Sequence, residues 1–241
     1  MKIKEALIVP VLAVALLGCG KRESRHIVIL PDVSGSIERE SLEQAFKAID
    51  ELAGHLQRGD RLTIIPILGD AEAGASGRIL RFEVPVNRQA YDTDLRDFKN
   101  KLTTYLQKMR TEAIARPGSR TDILGTISLA EQEFNLRTDH SLKLLAILSD
   151  FIEEDRQLNF RTDNVFSSVD PVQKFATQQA HIENIRLDKV EVYLGLLKSS
   201  EFTAMRRPRR NAIKSFWIQY FDKAGAHAKF FDDGPGLLKL E

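Results

Sequence analysis

Along the chain, short unbroken apolar runs alternate with longer stretches in which apolar residues recur every three or four positions. Residues 26–31 form the first apolar run after Cys19 and read as a buried strand. In residues 41–57, Leu42, Ala45, Phe46, Ile49, Leu52, Ala53 and Leu56 fall on one helical face. Residues 62–68 predict a second strand. Leu80, Phe82 and Val84 then alternate with Arg81 and Glu83, the pattern of a half-exposed edge strand. Leu95, Phe98, Leu102, Leu106 and Met109 predict a second long helix, ended by the breaker Pro117-Gly118-Ser119. A shorter helix begins near Asp122. The run LKLLAILS, residues 142–149, suits a central parallel strand buried on both faces. Residues 171–185 read as helix with Pro171 in the first turn, and residues 189–197 as strand. An aromatic-rich helix over 211–224 and a short strand over 228–231 complete the pattern.

Strands alternating with helices predict an α/β fold: a doubly wound, mostly parallel central sheet with helices on both faces and one antiparallel edge strand. No internal repeat, low-complexity tract or dividing linker interrupts residues 26–235, which read as one domain followed by a short tail, 236–241. A chain of 241 residues that is 43% hydrophobic can bury one substantial core. Its formal net charge of +1 speaks against a nucleic-acid protein that works by bulk electrostatics. The single cysteine excludes internal disulfides and a cysteine-based zinc cage.

The position of that cysteine changes the picture. Lys2 and Lys4 precede a twelve-residue, almost purely apolar stretch, 6–17, and then Gly18-Cys19. Twelve residues are too few to span a bilayer but suit the apolar region of a signal peptide. The ending Leu16-Leu17-Gly18-Cys19 resembles a bacterial lipobox, which implies cleavage of residues 1–18, a diacylglycerol on Cys19 and a tether over 19–25. Gly20, where inner-membrane lipoproteins carry Asp, implies the periplasmic face of the outer membrane. Cleavage would remove Lys2, Lys4 and Glu5 from totals of 35 basic and 34 acidic residues, leaving 33 of each. A tether this short, roughly 20 Å when extended, brings the start of the first strand near the membrane. The carboxyl end of that strand is then expected to face away from it.

That carboxyl end carries the most distinctive chemistry. Asp32, Ser34 and Ser36 occupy alternate positions of a tight turn, with Gly35 giving the backbone room. Neither a phosphate-binding loop nor a dinucleotide fingerprint follows any strand, and no small-molecule substrate is expected. Thr121 precedes the helix that starts near Asp122, and Asp150 ends the central apolar strand. Hydroxyls and carboxylates converging on one sheet edge form an oxygen-only set, suited to a hard cation such as Mg²⁺, with Mn²⁺ or Ca²⁺ as alternatives.

The order D-x-S-x-S, then Thr before a helix, then Asp after an apolar strand, resembles the metal-ion-dependent adhesion site of von Willebrand factor A (VWA) domains. The resemblance spans residues 26–235. It implies that Ser34 and Ser36 ligate the metal directly and that Thr121 does so directly or through water. Asp32 and Asp150 would act mainly through water or as acceptors behind the ligands. One coordination position would remain open for an acidic side chain of a protein partner. Many bacterial members read Gly-Gly-Thr where this chain has Ser119-Arg120-Thr121, so Arg120 is expected at the rim, where it attracts or obstructs an anionic partner.

Other residues complete the expectation. Asp70, with Glu72 in the same Gly-rich loop, is placed on the same edge, mainly as part of a solvated loop. The long connection 151–170 contains Glu153 and Glu154 and is the expected partner contact. The basic run Arg206 to Arg210 reads as a solvated turn, or else as a rim that steers acidic partners. The five histidines show no paired spacing and read as structural or exposed. An aspartyl phosphatase needs an acid two residues after its nucleophile, where this chain has Ser34, and G-x-S-x-G is absent; a binding protein is expected rather than an enzyme. The alternatives are an assembly module of an envelope complex with a degenerate metal site and, with less support, a metal-dependent phosphatase-like hydrolase.

Overall fold

The computed structural model describes residues 23–71, 77–115, 120–136, 142–155 and 158–233. The proposed signal peptide, Cys19, Glu72, Ser119 and the tail 236–241 lie outside the described residues.

The two most apolar runs become adjacent parallel strands at the centre of a sheet, β1 (Arg25–Pro31) and β4 (Leu142–Ser149). Around them stand β2 (Arg61–Ile64), β3 (Leu80–Glu83), β5 (Val190–Leu196) and β6 (His227–Phe231), in the order β3-β2-β1-β4-β5-β6. Every pairing is parallel except β2 with β3, so the expected antiparallel edge strand is present.

Period-two alternation divides the core. Ile27, Ile29, Leu144, Ala146 and Leu148 face α1 (Arg39–Gly54) and α2 (Arg88–Ala115), where Phe46, Ile49, Leu52, Phe98 and Leu102 meet them. Val28, Leu30, Leu145 and Ile147 face the other layer: α3 (Ile123–Asn135), α4 (Val169–Glu183) and α6 (Arg207–Lys223). A short helix, α5 (Ser200–Ala204), connects β5 to α6.

Several boundaries depart from the sequence expectation for identifiable reasons. The second strand, expected over 62–68, ends as a ladder at Ile64, because Pro66 has no N–H to offer β3 and pairing stops at Ile64 opposite Leu80. Ile65 and Ile67 still donate to Ile29 and Pro31 of β1, so the chain runs on beside the site. The second helix is far longer than its apolar stripe, since nothing in 88–115 is Gly or Pro. The last helix starts at Arg207, with Pro208 in its first turn, so the basic run is helical rather than a turn.

The connection 151–170, expected to carry partner contacts, is largely held in the core. Phe151, Phe160 and Phe166 are fully buried, and a 3₁₀ turn at Asn164–Ser167 packs on α4 and α6. Trp217 of α6 packs at tilted or edge-on angles among Phe151, Phe160, Phe216 and Tyr220, and its indole N–H donates to the Phe151 carbonyl at 3.0 Å. Arg209 donates to the carbonyls of Phe160 and Arg161. His26, buried edge-on against Phe134, is a core histidine as expected.

Trp217→Ala is expected to cost about 3–5 kcal/mol, because it empties a fully buried site and orphans the Phe151 carbonyl. Urea unfolding followed by far-UV circular dichroism measures this; a loss under 1 kcal/mol would show that the aromatic cluster does not hold the loop.

Candidate metal centre

The sheet changes direction between β1 and β4: the chain winds outward from β1 through β2 on one side and from β4 through β5 on the other. The crevice at the carboxyl ends of such a strand pair is where doubly wound sheets take their ligands. Asp32 leaves β1 there, its N–H donating to the Leu148 carbonyl at 2.8 Å, and Asp150 leaves β4 beside it.

A continuous line of hydrogen bonds joins the two. The fully buried Asp32 accepts from the Ser34 N–H at 2.9 Å through Oδ1 and from the Ser149 hydroxyl at 2.5 Å through Oδ2. The Ser34 and Ser36 hydroxyls lie 3.0 Å apart, and Ser36 Oγ donates to Asp150 Oδ2 at 3.0 Å. Asp150 Oδ1 in turn accepts from the Ile152 N–H at 3.1 Å.

Thr121 is brought in by backbone pairing. Its N–H donates to the Glu154 carbonyl at 3.1 Å, and its own carbonyl accepts from the Glu154 N–H at 2.9 Å. On the other side, Asp122 N–H donates to the Leu68 carbonyl, while Gly69 packs so closely that a Cβ there would lie 2.8 Å from the Arg120 carbonyl oxygen. Ser36 and Thr121 then line one cavity of about 220 Å³, together with Gly35, Ile152, Glu154, Arg161 and Glu201.

Burial and the charge of Asp32 push the Asp150 carboxyl up to about 7, against hydrogen bonds from Ser199, the Ile152 N–H and Ser36. Burial likewise raises Asp32, opposed by its bonds to Ser149 and Ser34. Among the described residues no lysine or arginine pairs with either acid. The two buried carboxylates thus repel each other, with no counter-charge against them among the described residues.

The residues fit a small hard cation. The donor set is all oxygen and largely neutral hydroxyl, and the acids behind it lack positive charge. Adjacent oxygens 3.0 Å apart match neighbouring ligands of an octahedral ion bonded at about 2.1 Å, which lie roughly 3 Å from each other. Such an ion would be held by Ser34, Ser36 and Thr121 with Asp32 and Asp150 behind them.

The expected rim is redrawn. Glu154 lines the cavity, but Glu153 is wholly buried and turned inward, its Oε2 accepting from the N–H groups of Ile123 and Leu124 at 3.0 and 3.1 Å. Two open backbone donors at the start of α3 draw it in, so it is no surface contact. Arg120 and Asp70 are exposed and outside the cavity lining. In their place stands Arg161, which pairs with Glu154 and, at 2.8 Å, with Glu201. Ser149 was visible in the sequence only as the last residue of an apolar strand. Ser199, Arg161 and Glu201 carried no local signal, since their roles depend on contacts between distant segments.

A mostly parallel sheet wound outward in both directions, with helices on both faces and one antiparallel edge strand, defines a doubly wound α/β fold. Solved structures similar to the chain include the pilus adhesin SpaC from Lactobacillus rhamnosus GG. It matches in two crystal structures at TM-scores of 0.51 and 0.52, with 11% identity over 90% of this chain and 29% of that one. A von Willebrand factor type A protein from Catenulispora acidiphila matches at 0.42 and 15% identity, over 90% of this chain and 40% of that one. The SpRpn10 VWA domain matches at 0.45 and 9% identity, over 89% and 93%. The chain spans well under two thirds of SpaC and of the Catenulispora protein, and what it shares with SpaC at this identity is the fold. No protein-family model and no curated protein sequence matches the chain.

Two outcomes test the geometry. Asp150 has a folded value of about 7 against 3.8 ordinarily, so between those values the folded state holds a proton that the unfolded chain releases. Its contribution is complete below pH 3.8 and is lost as pH rises towards 7. In metal-free protein, wild type is therefore expected to lose stability relative to Asp150→Asn between pH 5 and pH 7, by roughly 1 kcal/mol per pH unit, and to level off above that. Parallel urea titrations in EDTA read this, and a constant difference across pH would refute it. Gly69→Ala is expected to cost about 1–3 kcal/mol in thermal or urea unfolding, because its Cβ forces the Arg120 backbone aside; an unchanged melt would show that the loop yields freely.

Proposed function

We propose that this chain is a VWA-like binding module. It holds a divalent cation, Mg²⁺ with Mn²⁺ or Ca²⁺ as alternatives, and through it an acidic side chain of a protein partner. The observation that carries the reading is the unbroken hydrogen-bonded line Asp32–Ser34–Ser36–Asp150 beside the cavity that Ser36 shares with Thr121. It combines the residue order of a metal-ion-dependent adhesion site with the sheet position where such a site belongs. The fold shared with a protein described as a pilus adhesin is in keeping with a role in protein binding.

When bound, the cation supplies Lewis-acid affinity for an external carboxylate. The chain's own residues prepare that event. Asp32 is fixed by Ser149 and the Ser34 amide, so it holds the D-x-S-x-S turn in place. Ser34 and Ser36 present neutral oxygens, which leave positive charge on the ion unspent. Thr121 is positioned by its two backbone bonds to Glu154. Arg161 holds the carboxylates of Glu154 and Glu201 at the cavity wall, which favours an incoming anion over the protein's own acids. No residue set for covalent or general acid/base chemistry is assigned, and the reading is of a binding protein rather than an enzyme. Lipid attachment at Cys19 would place the module in the cell envelope, on the periplasmic face of the outer membrane.

Calorimetric titration of Mg²⁺ and Mn²⁺ into purified protein tests the reading. Saturable binding is expected, weakened about 10–100-fold by Ser34→Ala and by Asp32→Ala. The Ser34 variant removes one small hydroxyl and keeps the fold testable. Binding indifferent to both substitutions, or absent at millimolar metal, would sink the proposal.

A further inference from the structure

Three carboxylates outside the Ser34–Ser36 site meet where the segment carrying Thr121 crosses the segment that follows Asp150. Asp122, Glu153 and Asp155 each bring one oxygen within 4.8 Å of the other two. Glu153 is fully buried, and its two oxygens differ. Oε2 accepts from the first amides of α3, whereas Oε1, equally buried, has no hydrogen-bond partner among the described residues. An orphaned carboxylate oxygen shielded from solvent is costly unless it keeps its proton or a cation occupies the space beside it, and burial with the charges of Asp122 and Asp155 raises this carboxyl well above the usual range. No lysine or arginine among the described residues pairs with Asp122 or Glu153.

We propose that Asp122, Glu153 and Asp155 form a second divalent-cation site, separate from the first, and that its ion is Ca²⁺. Three acidic side chains give a hard, strongly anionic oxygen set, unlike the hydroxyl-rich set around Ser36. Oxygens within 4.8 Å of one another can all sit at the 2.3–2.6 Å of a Ca²⁺ bond, roughly half that spacing, and Ca²⁺ tolerates the irregular geometry that Mg²⁺ rejects. The carboxylates are already oriented by backbone donors: Asp122 by the N–H groups of Ala71 and Gly125, Asp155 by that of Leu158. The two amide bonds of Asp122 leave a further lone pair on each of its oxygens for an ion. The site would tie residue 122, next to Thr121, to residues 153 and 155, on either side of Glu154. It would thereby clamp the Thr121–Glu154 bridge from behind. The second site stands on its own residues and does not require the first to be a metal site.

The test is equilibrium Ca²⁺ titration of the EDTA-stripped full chain in three forms: wild type, Ser34→Ala/Ser36→Ala, and Glu153→Gln/Asp155→Asn. The amide replacements keep acceptors for the Ile123, Leu124 and Leu158 N–H groups, and circular dichroism checks their fold. Asp155→Asn alone, at a partly exposed residue, serves as the milder variant. The hydroxyl-deficient form is expected to retain one Ca²⁺, and Glu153→Gln/Asp155→Asn to lose it. Asp155→Asn alone should weaken it at least tenfold. A hydroxyl-deficient form that binds no Ca²⁺ while wild type binds one ion overturns this inference and leaves the Ser34–Ser36 reading standing. Wild type binding a single ion that disappears only with Glu153→Gln/Asp155→Asn supports this site and counts against the other for Ca²⁺. Binding unaffected by Glu153→Gln/Asp155→Asn overturns it.

Discussion

The parallel pairing of β1 with β4 is the constraint on which the rest of the molecule depends. Both strands are buried on each face, so their register is fixed by packing as well as by hydrogen bonds: a slip of one residue would exchange the side chains between the two core layers. Pro31 is thereby held opposite Leu148, and Asp32 and Asp150 emerge side by side at the same sheet edge. Everything chemical about the candidate centre follows from that alignment, because it puts two acids that are far apart in sequence into one dry crevice.

The crevice is electrostatically unbalanced by design of its neighbours rather than by accident of burial alone. Each acid is restrained by hydroxyl and amide donors, which favour its charged form, while burial and mutual repulsion disfavour it. Hydrogen bonds are enough to fix the geometry but not to supply a net positive charge. The same contrast runs through the second acidic cluster, where backbone amides satisfy most of the carboxylate oxygens and one of Glu153 has no donor among the described residues. In both places oxygens are gathered while the most buried acids, Asp32, Asp150 and Glu153, pair with no lysine or arginine among the described residues.

Rigidity behind the site comes from the aromatic layer. Phe151 takes a left-handed backbone conformation immediately after Asp150, unusual for a bulky residue, and is held there by Trp217, Phe230 and the core. The following loop is fastened by Phe160, Phe166 and Arg209, so the face presented at the cavity is made from a supported loop rather than a free one. The ion pairs of Arg161 with Glu154 and Glu201 lie on this support and shape the entrance.

The sequence by itself determined the layers and the main residues of the candidate site. Apolar periodicities of two and of three to four residues depend only on near neighbours, so they revealed the strands, the helices and the doubly wound order. The turn Asp32-Val33-Ser34-Gly35-Ser36 was legible for the same reason, since its internal bonds span two residues. Tertiary structure alone decided which oxygens meet: Ser36 with Asp150 across 114 residues, and Ser149 with Asp32 across 117. It also turned Glu153 from an apparent surface acid into a buried helix cap and brought Arg161 and Glu201 to the cavity. The physical reason is that local pattern fixes the type of an element. Contacts between element ends depend on strand register and loop packing, which only the assembled core specifies.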